Sequence, residues 1–202
     1  MKKITNIILI SLILMFVNQA KAQNLIAVQN GSSARFFEQL DDAIVNAADG
    51  DTIYLPGGIF PINQSINKMI HIIGVGYNVD STKATLSTKI YGSINVESGG
   101  SNGSLTGVYL TGAINSGSNV SNYVVRRTNF TDLNMTSTSN GWVFIENIIN
   151  GFLKSDVEPG ASGCKFSNNL VYGNMGASTW TGMSGIGFTK CIFSNNILMF
   201  RT

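Results

Sequence analysis

Charge is scarce in this chain. Only 12% of its 202 residues are Asp, Glu, Lys or Arg, with thirteen basic side chains against eleven acidic ones. No basic stripe stands out to bind nucleic acid or an anionic membrane. His71 is the sole histidine and has no Cys or carboxylate beside it in sequence, which makes a poor metal site and a better strand-surface residue. Prolines are few, and none occurs over residues 62–158. Proline has no N–H for a ladder hydrogen bond, so this gap suits continuous strand pairing. Long apolar runs are missing too: the stretch 7–17 is too short to span a bilayer. Polarity comes instead from Gly, Asn, Ser and Thr, a composition suited to an exported, sheet-rich protein with many tight turns.

The amino terminus carries targeting information. Lys2 and Lys3 precede the apolar stretch, and Ala20-Lys21-Ala22 supplies an A-x-A cleavage site. Residues 1–22 read as a signal peptide and residues 23–202 as one exported domain: secreted, periplasmic or on the cell surface. No cysteine follows the stretch, so no lipid anchor is expected. Without Lys2, Lys3 and Lys21, ten basic residues face eleven acidic ones.

One helix is predicted, over about 36–48. Phe37, Leu40, Ala43, Ile44 and Ala47 recur on one helical face, and Asp49-Gly50 ends it. Short β-branched segments follow at 52–55, 59–62, 66–73, 84–86, 90–96 and 108–114, punctuated by Gly, Asn, Ser and Pro. Coils are expected over about 52–202.

A degenerate repeat organises the rest. Cys164-Lys165-Phe166-Ser167-Asn168-Asn169-Leu170 returns as Cys191-Ile192-Phe193-Ser194-Asn195-Asn196-Ile197. Weaker copies begin at Phe144, Val125 and Leu110, the Val125 copy reading as one residue longer. Their spacing lengthens along the chain, which a sandwich would not allow. A parallel β-helix allows it, because inward strands keep register while outer loops vary. Coils stack about 4.8 Å apart, so Leu110, Val125, Phe144, Phe166 and Phe193 are expected to form an apolar ladder. Asn129, Asn147, Asn169 and Asn196 are expected to form an amide ladder inside a bend, where Asn tolerates left-handed backbone. Cys164 and Cys191 fall at equivalent positions; parallel inward side chains favour a buried thiol stack over a disulfide.

Leu40-Asp41-Asp42-Ala43-Ile44, then residues 47–60 through Gly50-Asp51-Thr52-Ile53-Tyr54-Leu55-Pro56-Gly57-Gly58, resemble the N-terminal start of the pectin-lyase-like right-handed parallel β-helix superfamily. Ile66-Asn67-Lys68 and Ile72-Ile73-Gly74-Val75-Gly76 are similar to its second coil. The resemblance implies an all-β, right-handed solenoid with an N-terminal cap helix. It leaves function open, since the superfamily holds pectate lyases, polygalacturonases, esterases, adhesins and more. The repeat stops at 193–201 without a capping element, so the carboxyl end reads as uncapped, with missing C-terminal coils or a partner expected to cover it.

Catalytic residues are not evident. No Asn-Thr-Asp-Gly or Gly-His-Gly pattern of the polygalacturonase kind occurs in the strand region, and Asp41-Asp42 lies on the predicted helix. An Arg-based lyase would draw its base from Arg126 or Arg127, with Asp132, Glu146, Asp156 and Glu158 as acidic partners; Ca²⁺, which such lyases often use, is possible in that case alone, and otherwise no cofactor or metal is implied. With Asn129 stacked on Asn147, Thr128 would lie beside Glu146 and Asp132 beside Asn150. Trp180 and Asn174, in the loop 173–185, suit stacking and hydrogen bonding to sugar. Trp142 opens a repeat strand and reads as packing. The expectation is an exported β-helix protein that binds carbohydrate or acts at a surface. The alternatives are a polysaccharide lyase or hydrolase acting on uronate-containing glycans, and a structural or adhesive module.

Overall fold

A computed structural model describes residues 25–78, 86–151, 153–155, 160–174 and 188–201. The expected signal peptide over residues 1–22, Asp156, Glu158 and Trp180 lie outside them, and of Asn174 only the backbone is described. Among the described residues no helix is long and apolar enough to cross a membrane.

Three large sheets hold most of the strands, and a two-stranded parallel sheet pairs Ala161–Ser162 with Phe188–Thr189. The first holds nine: the hairpin Ile26–Asn30 and Ser33–Phe37, then Thr52–Leu55, His71–Gly74, Ser104–Thr106, Val124–Arg126, Val143–Ile145, Lys165–Ser167 and Ile192–Ser194. The second holds seven: Gly58–Pro61, Thr88–Tyr91, Tyr109–Leu110, Asn129–Phe130, Ile148–Ile149, Leu170–Asn174 and Ile197–Arg201. The third holds Ile94–Val96, Ile114–Ser116, Leu133–Met135 and Leu153–Ser155. Thr52–Leu55 pairs antiparallel with Ile26–Asn30, but from Thr52 onward the strands pair with one another in parallel, and sequential strands fall in different sheets. The chain is thus all-β, with stacked parallel strands as in a solenoid.

Side chains alternate inward and outward along each strand, and the inward ones stack across coils. In the first sheet Ile53, Ile72, Leu105, Val125, Phe144, Phe166 and Phe193 occupy one register position. All but Phe193 are buried. The Phe144 and Phe166 rings stack at 4.7 Å and 8°, and Phe166 and Phe193 at 4.6 Å and 1°. Burying each such ring contributes about 2 kcal/mol. Phe60, Ile90, Leu110, Phe130, Ile149 and Val171 line the second sheet's inner face, and Ile94, Ile114, Leu133 and Leu153 the third's.

Four sequence expectations are corrected. Leu110 belongs to the second sheet; the first-sheet member of that coil is Leu105, whose outward neighbours Ser104 and Thr106 disguise the strand. The segments 90–96 and 108–114 each divide between two sheets, at corners around Gly92 and Gly112. The helix spans Leu40–Asn46 rather than 36–48, because Phe36 and Phe37 lie in a strand paired antiparallel with Ile26–Asn30. Within the segment 66–73 only His71 onward is strand, Ile66 making an isolated bridge to Val96.

The short helix is held at both ends by the first coil. Its Leu40, Ala43 and Ile44 are buried in the same apolar cluster as Ile26, Val28 and Ile53. At its start the Asp41 carboxylate accepts the backbone N–H groups of Asn63 (2.9 Å) and Gln64 (3.1 Å) and the Asn63 amide (3.0 Å). At its end the Lys68 ammonium donates to the carbonyls of Val45 (2.6 Å) and Ala47 (2.7 Å), where a helix favours positive charge. The fully buried Asp51 carboxylate accepts bonds from Asn30, the Ala48 N–H and the Arg35 guanidinium, joining hairpin, helix and first coil.

Candidate functional site

Between the first and second sheets the chain turns sharply, and the same left-handed backbone recurs coil after coil. Gly107, Arg127, Glu146, Asn168 and Asn195 have φ of 71°, 48°, 59°, 57° and 53°. Gly and Asn enter that region readily; Arg and Glu do so less often. The bend therefore presents two charged side chains where small or amide residues are easier to place.

Those side chains meet. Arg127 Nε donates to Glu146 Oε2 at 2.8 Å, and Arg126 Nε lies 3.5 Å from the same oxygen. All three are substantially exposed. The Arg127 hydrogen bond leads the influences that hold the Glu146 carboxyl below the usual carboxylate range. Beside this cluster opens a groove of ≈ 640 Å³, lined among others by Ile73, Tyr77, Asn78 and Thr106 together with Arg127 and Glu146.

The expected neighbour of Glu146 was Thr128, and this is corrected by one position. Asn129 is not in the buried amide ladder. Thr128 takes that place: its N–H donates to Asn147 Oδ1 at 3.0 Å. Asn129 instead pairs with Ile148 in the second sheet, and its Oδ1 accepts from Asn150 Nδ2 at 2.6 Å. From the first sheet to the second, the Val125 and Phe144 copies consequently have equal length, which sets Arg127 against Glu146 and brings Asp132 next to Gly151 rather than Asn150. The ladder itself comprises Asn147, Asn169 and Asn196, linked side chain to side chain at 3.0 Å.

Of the other residues singled out from sequence, Cys164, Cys191, Trp142 and His71 do not line this groove. Cys164 is buried, Cys191 half-buried, and both are free thiols; the Cys164 N–H points at Cys191 Sγ, 3.3 Å away. Burial, then the neighbouring thiol, pushes the Cys164 thiol up to about 12. Trp142 is fully buried and donates its indole N–H to the Val120 carbonyl at 3.2 Å. His71 stands on the outer face of its strand, with Nδ1 2.9 Å from Ser104 Oγ. Among the described residues no three His, Cys, Asp or Glu side chains gather as a metal site.

A second amide ladder was not foreseen. On the third sheet Asn115 Nδ2 donates to Asn95 Oδ1 at 2.7 Å and Asn134 Nδ2 to Asn115 Oδ1 at 2.8 Å. The signal was present, since these residues recur at intervals of 20 and 19 in similar Ser-rich contexts. Compared with known proteins, the chain matches no family model, no curated protein and no solved structure.

Proposed function

We propose that this is an exported carbohydrate-binding protein of the right-handed, pectin-lyase-like β-helix type, acting at or near the cell surface without cleaving its ligand. In this reading the helix Leu40–Asn46 and the hairpin before it close the amino-terminal end of the solenoid. The observation that carries the binding role is the Arg126–Glu146–Arg127 cluster beside the groove. Two guanidiniums share one carboxylate, so the cluster keeps an excess positive charge. That excess suits the carboxylate of an acidic sugar, which Arg can grip with paired N–H donors. Tyr77 and Thr106 add a ring and a hydroxyl to the same groove.

Catalysis draws less support. A lyase base must accept a proton, whereas the Arg127 guanidinium is already donating to a carboxylate. Glu146 in turn is occupied as an acceptor.

The test is titration of the mature chain with polygalacturonate and alginate oligosaccharides at low and high salt. Binding that weakens with salt and falls at least tenfold in Arg127→Ala is expected, with no gain in unsaturated-product absorbance. Product formation that disappears in Arg127→Ala would make the protein a lyase. The absence of any glycan binding would leave the solenoid a structural or adhesive module. Trp180→Ala, in the loop 173–185, tests whether that loop contributes.

A further inference from the structure

We propose that the outer face of the second sheet is a separate binding strip for a neutral, unbranched polysaccharide lying along the stack of coils. The face is built by the outward residues of successive parallel strands. Tyr91 is 64% exposed at one end, and Tyr172 stands half-buried four coils further on. Four strand spacings of about 4.8 Å put these rings roughly 19 Å apart. Between them the same outward column carries Thr111, Thr131 and Asn150, so two aromatic surfaces bracket a row of hydroxyl and amide groups.

Several of these polar groups are positioned but not used up. Thr111 Oγ1 accepts the Gly92 N–H at 3.0 Å, which fixes the side chain and leaves its own O–H to donate. Asn150 is exposed and spends both amide hydrogens, on Asn129 Oδ1 and on the Phe130 carbonyl, leaving its Oδ1 as an acceptor. The Tyr91 and Thr131 hydroxyls and Asn129 Nδ2 engage no partner among the described residues. Sugar hydroxyls need this mixture of donors and acceptors beside a ring face.

The scarcity of fixed charge on this face points to a neutral ligand. From Gly58–Pro61 to Ile148–Ile149 the outward strand residues include one ion, Lys89, and its ammonium lies 5.2 Å from the Tyr109 ring centre. The bend groove has the opposite character, with three charged groups, so the two surfaces select different ligands. The repeat of one outward pair per coil fits a polymer whose successive units meet side chains at a regular spacing.

The experiment is calorimetric titration of the mature chain with cellohexaose and xylohexaose, and with the corresponding disaccharides. At least one hexasaccharide is expected to bind, about tenfold or more tighter than its disaccharide and with little change between low and high salt. Tyr91→Ala should weaken that binding about tenfold, Thr131→Val severalfold, and Arg127→Ala not at all. No binding, binding lost in Arg127→Ala, or binding indifferent to Tyr91→Ala would each overturn the proposal. A concentration-dependent mass increase abolished by Tyr91→Ala would also overturn it, by showing that a second copy covers this face. Because Arg127→Ala and salt act on the acidic-sugar site alone, failure of either reading leaves the other readable.

Discussion

Asn147 and Asn169 lie directly one above the other, and Asn147 Nδ2 donates to Asn169 Oδ1 at 3.0 Å. The contact is one rung of a buried system in which Asn169 is fully engaged. Its Oδ1 also accepts the Asn147 N–H, and its Nδ2 donates to Asn196 Oδ1 and to the Phe144 carbonyl, each at 3.0 Å. Each Asn thus bonds its neighbours on the stack and the backbone of the coil before it.

Removing that rung strands several buried groups at once. Asn169→Ala should cost about 3 kcal/mol, since an unmet buried donor or acceptor costs about 1–3 kcal/mol each. Asn169→Asp should cost more, because it sets a carboxylate oxygen against the Phe144 carbonyl and Asn196 Oδ1. Urea denaturation midpoints of the three proteins decide this; a loss under 1 kcal/mol for both variants would show the ladder to be dispensable.

Acid should loosen the amino-terminal end. Partial burial tends to raise the Asp41 carboxyl, but the Asn63 N–H, the Asn63 amide and the Gln64 N–H outweigh it and hold the group below its ordinary value. A depressed carboxyl gives stability that is complete above the unfolded value of about 3.9 and is lost as pH falls through the folded value. Asp41→Asn should therefore lower the melting temperature at pH 7 while narrowing its difference from the parent below pH 3. Parallel curves across that range would argue against this role for Asp41.

The two cysteines should react in order. Cys164 is fully buried with its thiol pushed up to about 12, whereas Cys191 is half-exposed. Iodoacetamide at pH 8 under native conditions should label Cys191 first, and Cys164 only on unfolding. Peptide mass spectrometry of timed samples reads the order directly; equal rates would contradict the burial described.

Tyr123 offers a change expected to stabilise. Its ring packs 5.0 Å from Trp142, but the hydroxyl is buried with no hydrogen-bond partner among the described residues, and burial drives its titration above the ordinary tyrosine value. Tyr123→Phe removes the unmet group and keeps the ring, so stability should rise by up to about 1 kcal/mol. A loss of that size would point to an ordered water on the hydroxyl.

The sequence showed the stack most clearly where two coils are near-copies. The match of Cys164–Leu170 with Cys191–Ile197 corresponds to strands paired Phe166 to Phe193 and Leu170 to Ile197. It misled where the outward residue changed character. In the coils of Asn147 and Asn169 the next residue, Ile148 or Leu170, is an outward apolar one. An Asn followed by an apolar residue therefore looked like the motif. In the preceding coil the outward residue is itself Asn129, followed by the inward Phe130, so the same pattern fits one position too late. That single slip hid the Arg127–Glu146 pair. The hairpin carries its own signal in Gly31-Ser32, the two-residue turn between the paired strand ends Asn30 and Ser33, where Gly31 has φ of 55°.

Ile72 and Leu105 are 33 residues apart, Val125 and Phe144 only 19, yet each pair sits at adjacent register positions of the same sheet. By residue count, the surplus of the longer coil falls between the strands ending at Gly74 and starting at Thr88, and that of the Phe166–Phe193 coil between those ending at Asn174 and starting at Phe188. The stack thus works as a ruler with detachable labels. A foreign peptide spliced at either corner should leave the spacing of every strand unaltered, which makes the chain a scaffold for displaying loops at fixed intervals.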